Sequence, residues 1–327
     1  MSEEKSRLDV VGIGNALVDV LTHEPDEFVT EQNLVKGSMT LIDEDRAHEL
    51  YNAMAPATEV SGGSAANTVI GVASFGGSGA YIGKVRDDQL GEIFAHDLKA
   101  LGVEFEVVRA PEGDPTGRCL ILVTPDGQRT MSTYLGASVS LSPEDVDPGL
   151  IARSRILFLE GYLWDPPSAK AAMTRAAELA TGDDQRVALT LSDSFCVDRH
   201  RDSFLELIDT HVDVLFANYD EILSLYQTDS LETAIEQVRR SVPITAVTHS
   251  AHGSIIVVDD AEIQVPAEPT EVVDTTGAGD LYAAGFLYGL ARGYDLKECG
   301  WLGSLAASEV ISHMGPRPEI DLTDLLE

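Results

Sequence analysis

From residue 155 onward, short apolar runs alternate with polar segments of helix length. "RILFLEG", "RVALTLS", "VDVLFAN" and "PITAVTHS" are separated by stretches that read as helices near 166–180, 199–209 and 219–239. A run that is apolar throughout suits a strand covered on both faces, and strands joined through helices lie parallel. The fold class expected is therefore α/β: a doubly wound, mainly parallel sheet flanked by helices. In such sheets, ligands bind beyond the carboxyl ends of the strands, where helices begin.

The first half is less regular. "LDVVGIG" (Leu8–Gly14) reads as a buried strand, followed by an irregular polar stretch to Gly37, the short run "SMTLI" and a helix from near Asp43. "SGGSAANTVIGVASFGG" is a glycine turn feeding a helix over 65–75, and "DQLGEIFAHDLKALG" is an amphipathic helix closed by Gly102. "GRCLILVTPDGQRTMSTYLG" suggests two strands around a Pro-Asp-Gly turn. "GSIIVVDDAEIQVPA" reads as a hairpin, and two helices close the chain. No linker or repeat interrupts it. The expected organisation is one α/β domain (1–14, 43–110 and 137–327) carrying a small β lid (15–42 and 111–136).

The formal charge of −33 makes nucleic acid and anionic lipid improbable partners and suits a saline habitat, where salt screens self-repulsion. No apolar run is long enough for a membrane span, and the charged N-terminus has no signal-peptide core. Three widely spaced cysteines with no CxxC pair fit a reducing, cytoplasmic setting.

Two glycine motifs are decoys. "GIGNAL" has Leu17 where a dinucleotide fingerprint needs its third glycine, and "GAYIGKV" has the wrong spacing, and Val85, for a phosphate-binding loop. "DTTGAGD" is different. Gly277, Ala278 and Gly279 leave their amides bare at a helix N-terminus, where anions are stabilised. Asp280 in the first turn is either a helix-favouring acid or the base of a phosphoryl transfer, which needs positioning and charge stabilisation above all.

"GGSAANTVIGVASFGG", "TG…DGQRT", "ANYDE" and "DTTGAGD" occur in the order found in the ribokinase-like (PfkB) carbohydrate and nucleoside kinases. The chain resembles that family over nearly its whole length. "GNALVDV", "PTGRCLILVTPDGQRT" and "VDVLFANYDE" resemble the adenosine kinase branch most.

The resemblance implies an ATP- and Mg²⁺-dependent kinase, with Asp280 as catalytic base and the amides of Gly277–Asp280 as anion hole. Asp19, on a loop after the first strand, matches the acid that binds two acceptor hydroxyls; Gly62, Gly63 and Asn67 match the sugar pocket. Arg129 matches an arginine that swings over the phosphates, where its planar fork suits the anion. Asn218 and Glu221 match the pair ordering Mg²⁺ and its water; read alone, they are a helix cap. Thr248, Gly253, Ala307, Ile311 and Gly315 fall on the nucleotide side, with Ser250 replacing a family glycine and His313 lining the base or simply packing. His249 and His252 have no third ligand and read as loop residues.

An apolar acceptor wall is implied for Ile42, Leu122, Leu135, Tyr162, Leu163 and Trp164. Thr40 stands where similar enzymes carry glutamine, and Glu160 is where a sugar hydroxyl could be bound. The acceptor expected is adenosine at its 5′-hydroxyl. The alternative is a sugar kinase for ribose, fructose or a gluconate. A dinucleotide oxidoreductase is disfavoured by the broken fingerprint, and a non-catalytic relative would normally lack the base. "DTT" permits a monovalent cation such as K⁺ beside the anion hole, and the resemblance allows a monomer or a lid-mediated homodimer.

Overall fold

A computed structural model of the chain describes residues 6–105 and 109–326. Its strands, in chain order, are β1 (Leu8–Ile13), β2 (Leu17–His23), β3 (Met39–Leu41), β4 (Thr58–Gly62), β5 (Gly79–Ile82), β6 (Val103–Glu104) and β7 (Thr116–Val123). They continue with β8 (Arg129–Gly136), β9 (Ser154–Glu160), β10 (Arg186–Thr190), β11 (Val214–Asn218), β12 (Ile244–Thr248), β13 (Ser254–Val258) and β14 (Ala261–Val265).

Nine of these form one sheet in the order β14-β13-β12-β11-β10-β9-β1-β5-β6, parallel except for the hairpin strands β13 and β14. The remaining five form a smaller sheet in the order β3-β8-β7-β2-β4. The chain runs outward from β1 through β5 to β6, then returns to place β9 on the other side of β1. That reversal makes the carboxyl ends of β1 and β9 a switch point, the place where open α/β sheets leave a crevice.

The alternation of apolar side chains along β9 shows how both faces are covered. Ile156 and Phe158 enter one core, with Val69, Leu281, Phe286 and Leu302 from the helices Ser64–Ser74, Ala278–Arg292 and Leu296–Val310. Leu157 and Leu159 enter the other, with Met173, Phe204 and Ile222 from the helices on the opposite face. The first core also takes in Val18, Val20 and Leu120 from the smaller sheet, so the two sheets share apolar packing.

Three local readings of the sequence differ from the structure. Thr58–Gly62, where no strand was expected, is a strand that pairs antiparallel with β2 in the smaller sheet. The helix expected over 219–239 is two, Tyr219–Tyr226 and Leu231–Val238, broken where Gln227 turns left-handed at φ 49° and Ser230 caps the second. The stretch read as irregular before Gly37 contains the helix Asp26–Glu31.

Candidate active site

A cavity of about 950 Å³ opens beyond the carboxyl ends of the central strands and is bounded on its far side by the smaller sheet. Asp19, Gly63, Leu135, Asn218, Glu221, Thr248 and Gly277 to Asp280 all line it. Residues far apart in sequence meet because strands of the large sheet end there and the smaller sheet turns one face to it.

The loop before the helix Ala278–Arg292 is held by Asp274. One of its oxygens accepts from the Thr276 amide (3.1 Å) and hydroxyl (2.7 Å), the other from the Gly315 amide at 3.0 Å. Gly277 starts the helix at φ 78°, and a Cβ there would stand 2.7 Å from the Pro316 Cα, so only glycine fits. Ala278 spends its amide on the Thr275 carbonyl (3.2 Å), whereas the amides of Gly277, Gly279 and Asp280 have no protein acceptor among the described residues. The helix N-terminus therefore presents three free donors rather than the four read from sequence, and the space around Gly279 is open.

The Asp280 carboxylate is held from both sides. Ser64 Oγ donates to Oδ1 at 2.6 Å and Asn67 Nδ2 to Oδ2 at 2.8 Å, while Thr68 Oγ1 donates to the Asp280 carbonyl at 3.1 Å. Burial raises its pKa, and the two side-chain donors and the charge of Arg317 oppose that rise. Such a carboxylate is oriented and is more basic than an exposed aspartate.

Asn67 has little left for an acceptor: its Oδ1 accepts from Arg317 Nε at 2.7 Å. Arg317 also donates to the Ser61 carbonyl (2.5 Å), and burial lowers its pKa to about 10. Neither Ser64 nor Arg317 was expected from the sequence. The available signal for Arg317 was its place between two prolines just after Gly315, where a solvated arginine has no need of so rigid a backbone.

Asp19 lies within β2 rather than on a loop. Burial raises its pKa to about 6 against the lowering charges of Arg317 and Arg129, with Asp280 adding to the rise. Gly62 gives it room, since a Cβ at 62 would come within 2.4 Å of the Asp19 carboxyl group. Gly63 is required for a different reason: at φ 99° its Cβ would meet the Asn15 carbonyl at 2.3 Å.

The apolar wall beside Asp19 is made by Leu17, Met39, Leu41, Cys119, Met131 and Leu135. Leu163 and Trp164 do not belong to it. Both are buried in the second core, where Trp164 stacks on Phe204 at 5.4 Å; of that turn only Tyr162 faces the cavity. Ile42, Leu122 and Thr40 also lie off the lining: the pleat of β3 puts Thr40 on the face opposite Met39 and Leu41, and that of β7 puts Leu122 on the face away from Cys119.

Arg129 begins β8 and is buried against Asp274, Nη2 to Oδ2 at 2.8 Å. The angle is poor, so the pair is ionic and the guanidinium nitrogens have no hydrogen-bond partner in good geometry. The arginine read as reaching the phosphates is thus parked on the acid that opens the glycine loop.

Asn218 and Glu221 form a complete capping box: Asn218 Nδ2 and its amide donate to the two Glu221 oxygens (2.6 and 2.9 Å), and Asn218 Oδ1 accepts from the Glu221 amide. Burial raises the Glu221 pKa to about 7. No cluster of three acidic, histidine or cysteine side chains is placed to cage a metal among the described residues. One carboxylate facing a roomy cavity fits Mg²⁺ that arrives on nucleotide phosphates and keeps most of its water.

Thr248 lines this end of the cavity, but Gly253, Ala307, Ile311 and Gly315 do not. Gly253 crosses behind at φ 83°, Ala307 and Ile311 pack on the first core, and Gly315 spends its amide on Asp274. His313 is held by Glu309. Ser250 keeps the left-handed conformation, φ 46°, of the glycine it replaces. His249 stacks on Tyr219 at 4.5 Å.

The model of the pfkB family of carbohydrate kinases matches residues 31–322. The solved adenosine kinase of Sinorhizobium meliloti is 51% identical, with a TM-score of 0.92, over 98% of this chain and 99% of that one. A probable sugar kinase of Rhizobium etli CFN 42 is 48% identical, with a TM-score of 0.92, over 98% of each. A curated 5-dehydro-2-deoxygluconokinase of Shouchella clausii is 26% identical over 95% of this chain and 91% of its own length.

Proposed function

Because the chain belongs to the pfkB family of carbohydrate kinases, we propose that it transfers the γ-phosphoryl group of ATP to a primary hydroxyl of a neutral, ribose-bearing acceptor, adenosine at its 5′-hydroxyl. The observation that carries this reading is the acceptor end of the cavity, where the Asp19 carboxylate stands beside an apolar wall and the nearby cations are already engaged, Arg129 in its ion pair with Asp274 and Arg317 on Asn67 and Ser61. Arg199 is the one basic side chain on the lining among the described residues, and both its contacts go to Asp165. Against it stand Asp19, Glu160, Asp165, Asp193, Glu221 and Asp280. A gluconate-type acid would meet that excess negative charge unpaired; a nucleoside brings adjacent hydroxyls for Asp19 and an apolar base for the wall.

Asp280 takes the proton of the acceptor hydroxyl, oriented by Ser64 and Asn67. The free amides of Gly277, Gly279 and Asp280 hold the charge of the transferring group. Arg129 exchanges Asp274 for phosphate as the smaller sheet, acting as a lid, closes and excludes water. Mg²⁺, when bound with ATP near Glu221, neutralises phosphate charge.

The test is a turnover screen of adenosine, inosine, ribose, fructose and a gluconate-type acid with ATP. Adenosine is expected to show the highest kcat/KM and the acid the lowest. Fastest phosphorylation of a bare sugar would end the nucleoside reading while leaving the kinase chemistry intact. The 51% identity to an adenosine kinase supports the reading, and the 48% identity to a probable sugar kinase is why free sugars belong in the screen.

A further inference from the structure

Glu160 ends β9 at the switch point, 1% exposed, and its carboxylate accepts from three N–H donors. Oε1 accepts from the amide (3.2 Å) and the side-chain Nδ2 (2.8 Å) of Asn15; Oε2 accepts from the amide of Ala65 at 2.9 Å. Gly14 leaves the space, since a Cβ there would fall 2.3 Å from Oε2. Both oxygens already accept from N–H donors, which leaves the carboxylate one site on Oε2 for the sugar hydroxyl that the sequence left open.

What it holds is more informative. Asn15 lies in the link between β1 and β2, where the chain passes from the large sheet to the smaller one. Its carbonyl accepts from the Tyr81 hydroxyl (3.0 Å) and its Oδ1 from Ser138 (3.0 Å), so every polar group of Asn15 is fixed. Four residues later on β2 is Asp19. On the other side, Ala65 is the second residue of the helix whose Ser64 and Asn67 clasp Asp280. One buried carboxylate thus ties together the short segments that carry the acceptor-binding acid and the partners of the base.

We infer that Glu160 is a positioning residue: it sets Asp19 and Asp280 in register with each other without touching the substrate. This rests on the kinase reading in which Asp280 is the base. The chemistry requires a carboxylate. All three partners are donors, so an amide at 160 would point its own N–H groups at one of them, at the hinge or at the helix N-terminus. Misplacing reacting groups by a fraction of an ångström to an ångström costs about ten- to a hundredfold in rate.

The experiment compares Glu160→Gln with the wild type in the Asp280 background and in Asp280→Asn, using the acceptor that the wild type phosphorylates best. Expected is a fall in kcat of about ten- to a hundredfold with the KM for ATP unchanged and with no effect in Asp280→Asn, where there is no base to position. Equal losses in both backgrounds would mean that the residue only supports the fold. A raised acceptor KM with kcat intact would mean direct contact. Either result overturns the inference, as does wild-type kcat in a folded variant. Should Glu160→Gln not fold, Asn15→Ala leaves the carboxylate and its helix contact in place, and the same fall confined to kcat is expected. A wild type that phosphorylates no acceptor removes the kinase reading and this inference with it; wild-type turnover with an unimpaired Glu160→Gln removes the inference alone.

Discussion

At the scale of single residues, Asp280 separates shape from chemistry. Asp280→Asn is nearly isosteric and keeps a group able to accept from Ser64 or Asn67, so fold and ATP binding should survive while kcat falls by about 10²–10⁴-fold. Steady-state kinetics beside an ATP titration checks this; a variant keeping half the wild-type kcat would remove Asp280 from the mechanism. Arg129→Ala should lower kcat more than it raises the acceptor KM. Its cost in stability should be moderate, because Thr276 and Gly315 still donate to the Asp274 left behind. Gly62→Ala should act on the acceptor alone: the new methyl displaces the Asp19 carboxylate, so acceptor KM rises while ATP binding, read by calorimetry, does not change. The motif around Asp280 was legible in the sequence, and the structure places it on the cavity lining. That Arg317 underlies Asn67 was not, since 250 residues separate them and no periodicity marks the pair.

At the scale of elements, the helix Ala278–Arg292 depends on its first residues being small and its cap being left-handed. Gly277→Ala combines a positive φ with contact against Pro316, and about 1–3 kcal/mol of stability should be lost. The mouth of the helix should also lose its affinity for phosphate. Chemical denaturation with and without ATP separates the two effects: a variant as stable as the wild type and protected equally by ATP would contradict this account. The break between Tyr219–Tyr226 and Leu231–Val238 was hidden because its left-handed residue is Gln227 rather than glycine or asparagine. The Thr228-Asp229-Ser230 run was the visible signal. Strand Thr58–Gly62 was not legible because five residues ending in a glycine turn carry too short a pattern to mark a strand.

At the scale of the whole molecule, buried acids set the pH response. Asp19 (about 6), Glu160 (about 7) and Glu221 (about 7) have pKa values raised mainly by burial. The folded protein therefore holds protons that the unfolded chain releases, and the stability they contribute is lost as pH rises through those values. Between about pH 5 and 8, Tm should fall; kcat should rise with pH, because Asp280 must be ionised and burial raises its pKa. A Tm that climbs over that interval would contradict the assignment. The net charge of −33 adds a second expectation: Tm should rise with ionic strength as self-repulsion is screened. The sequence by itself determined the parallel sheet, the order of motifs and the residues of the glycine loop, because apolar periodicity and glycine-dependent turns are local properties of the chain. Only the tertiary structure decided that Leu163 and Trp164 face the core and that Arg129 rests on Asp274. It alone showed Glu160 joining the link between β1 and β2 to the helix that clasps Asp280. Which face a side chain takes, and which distant partner satisfies its charge, depends on how strands are ordered in space, and neighbours in sequence carry no record of that order.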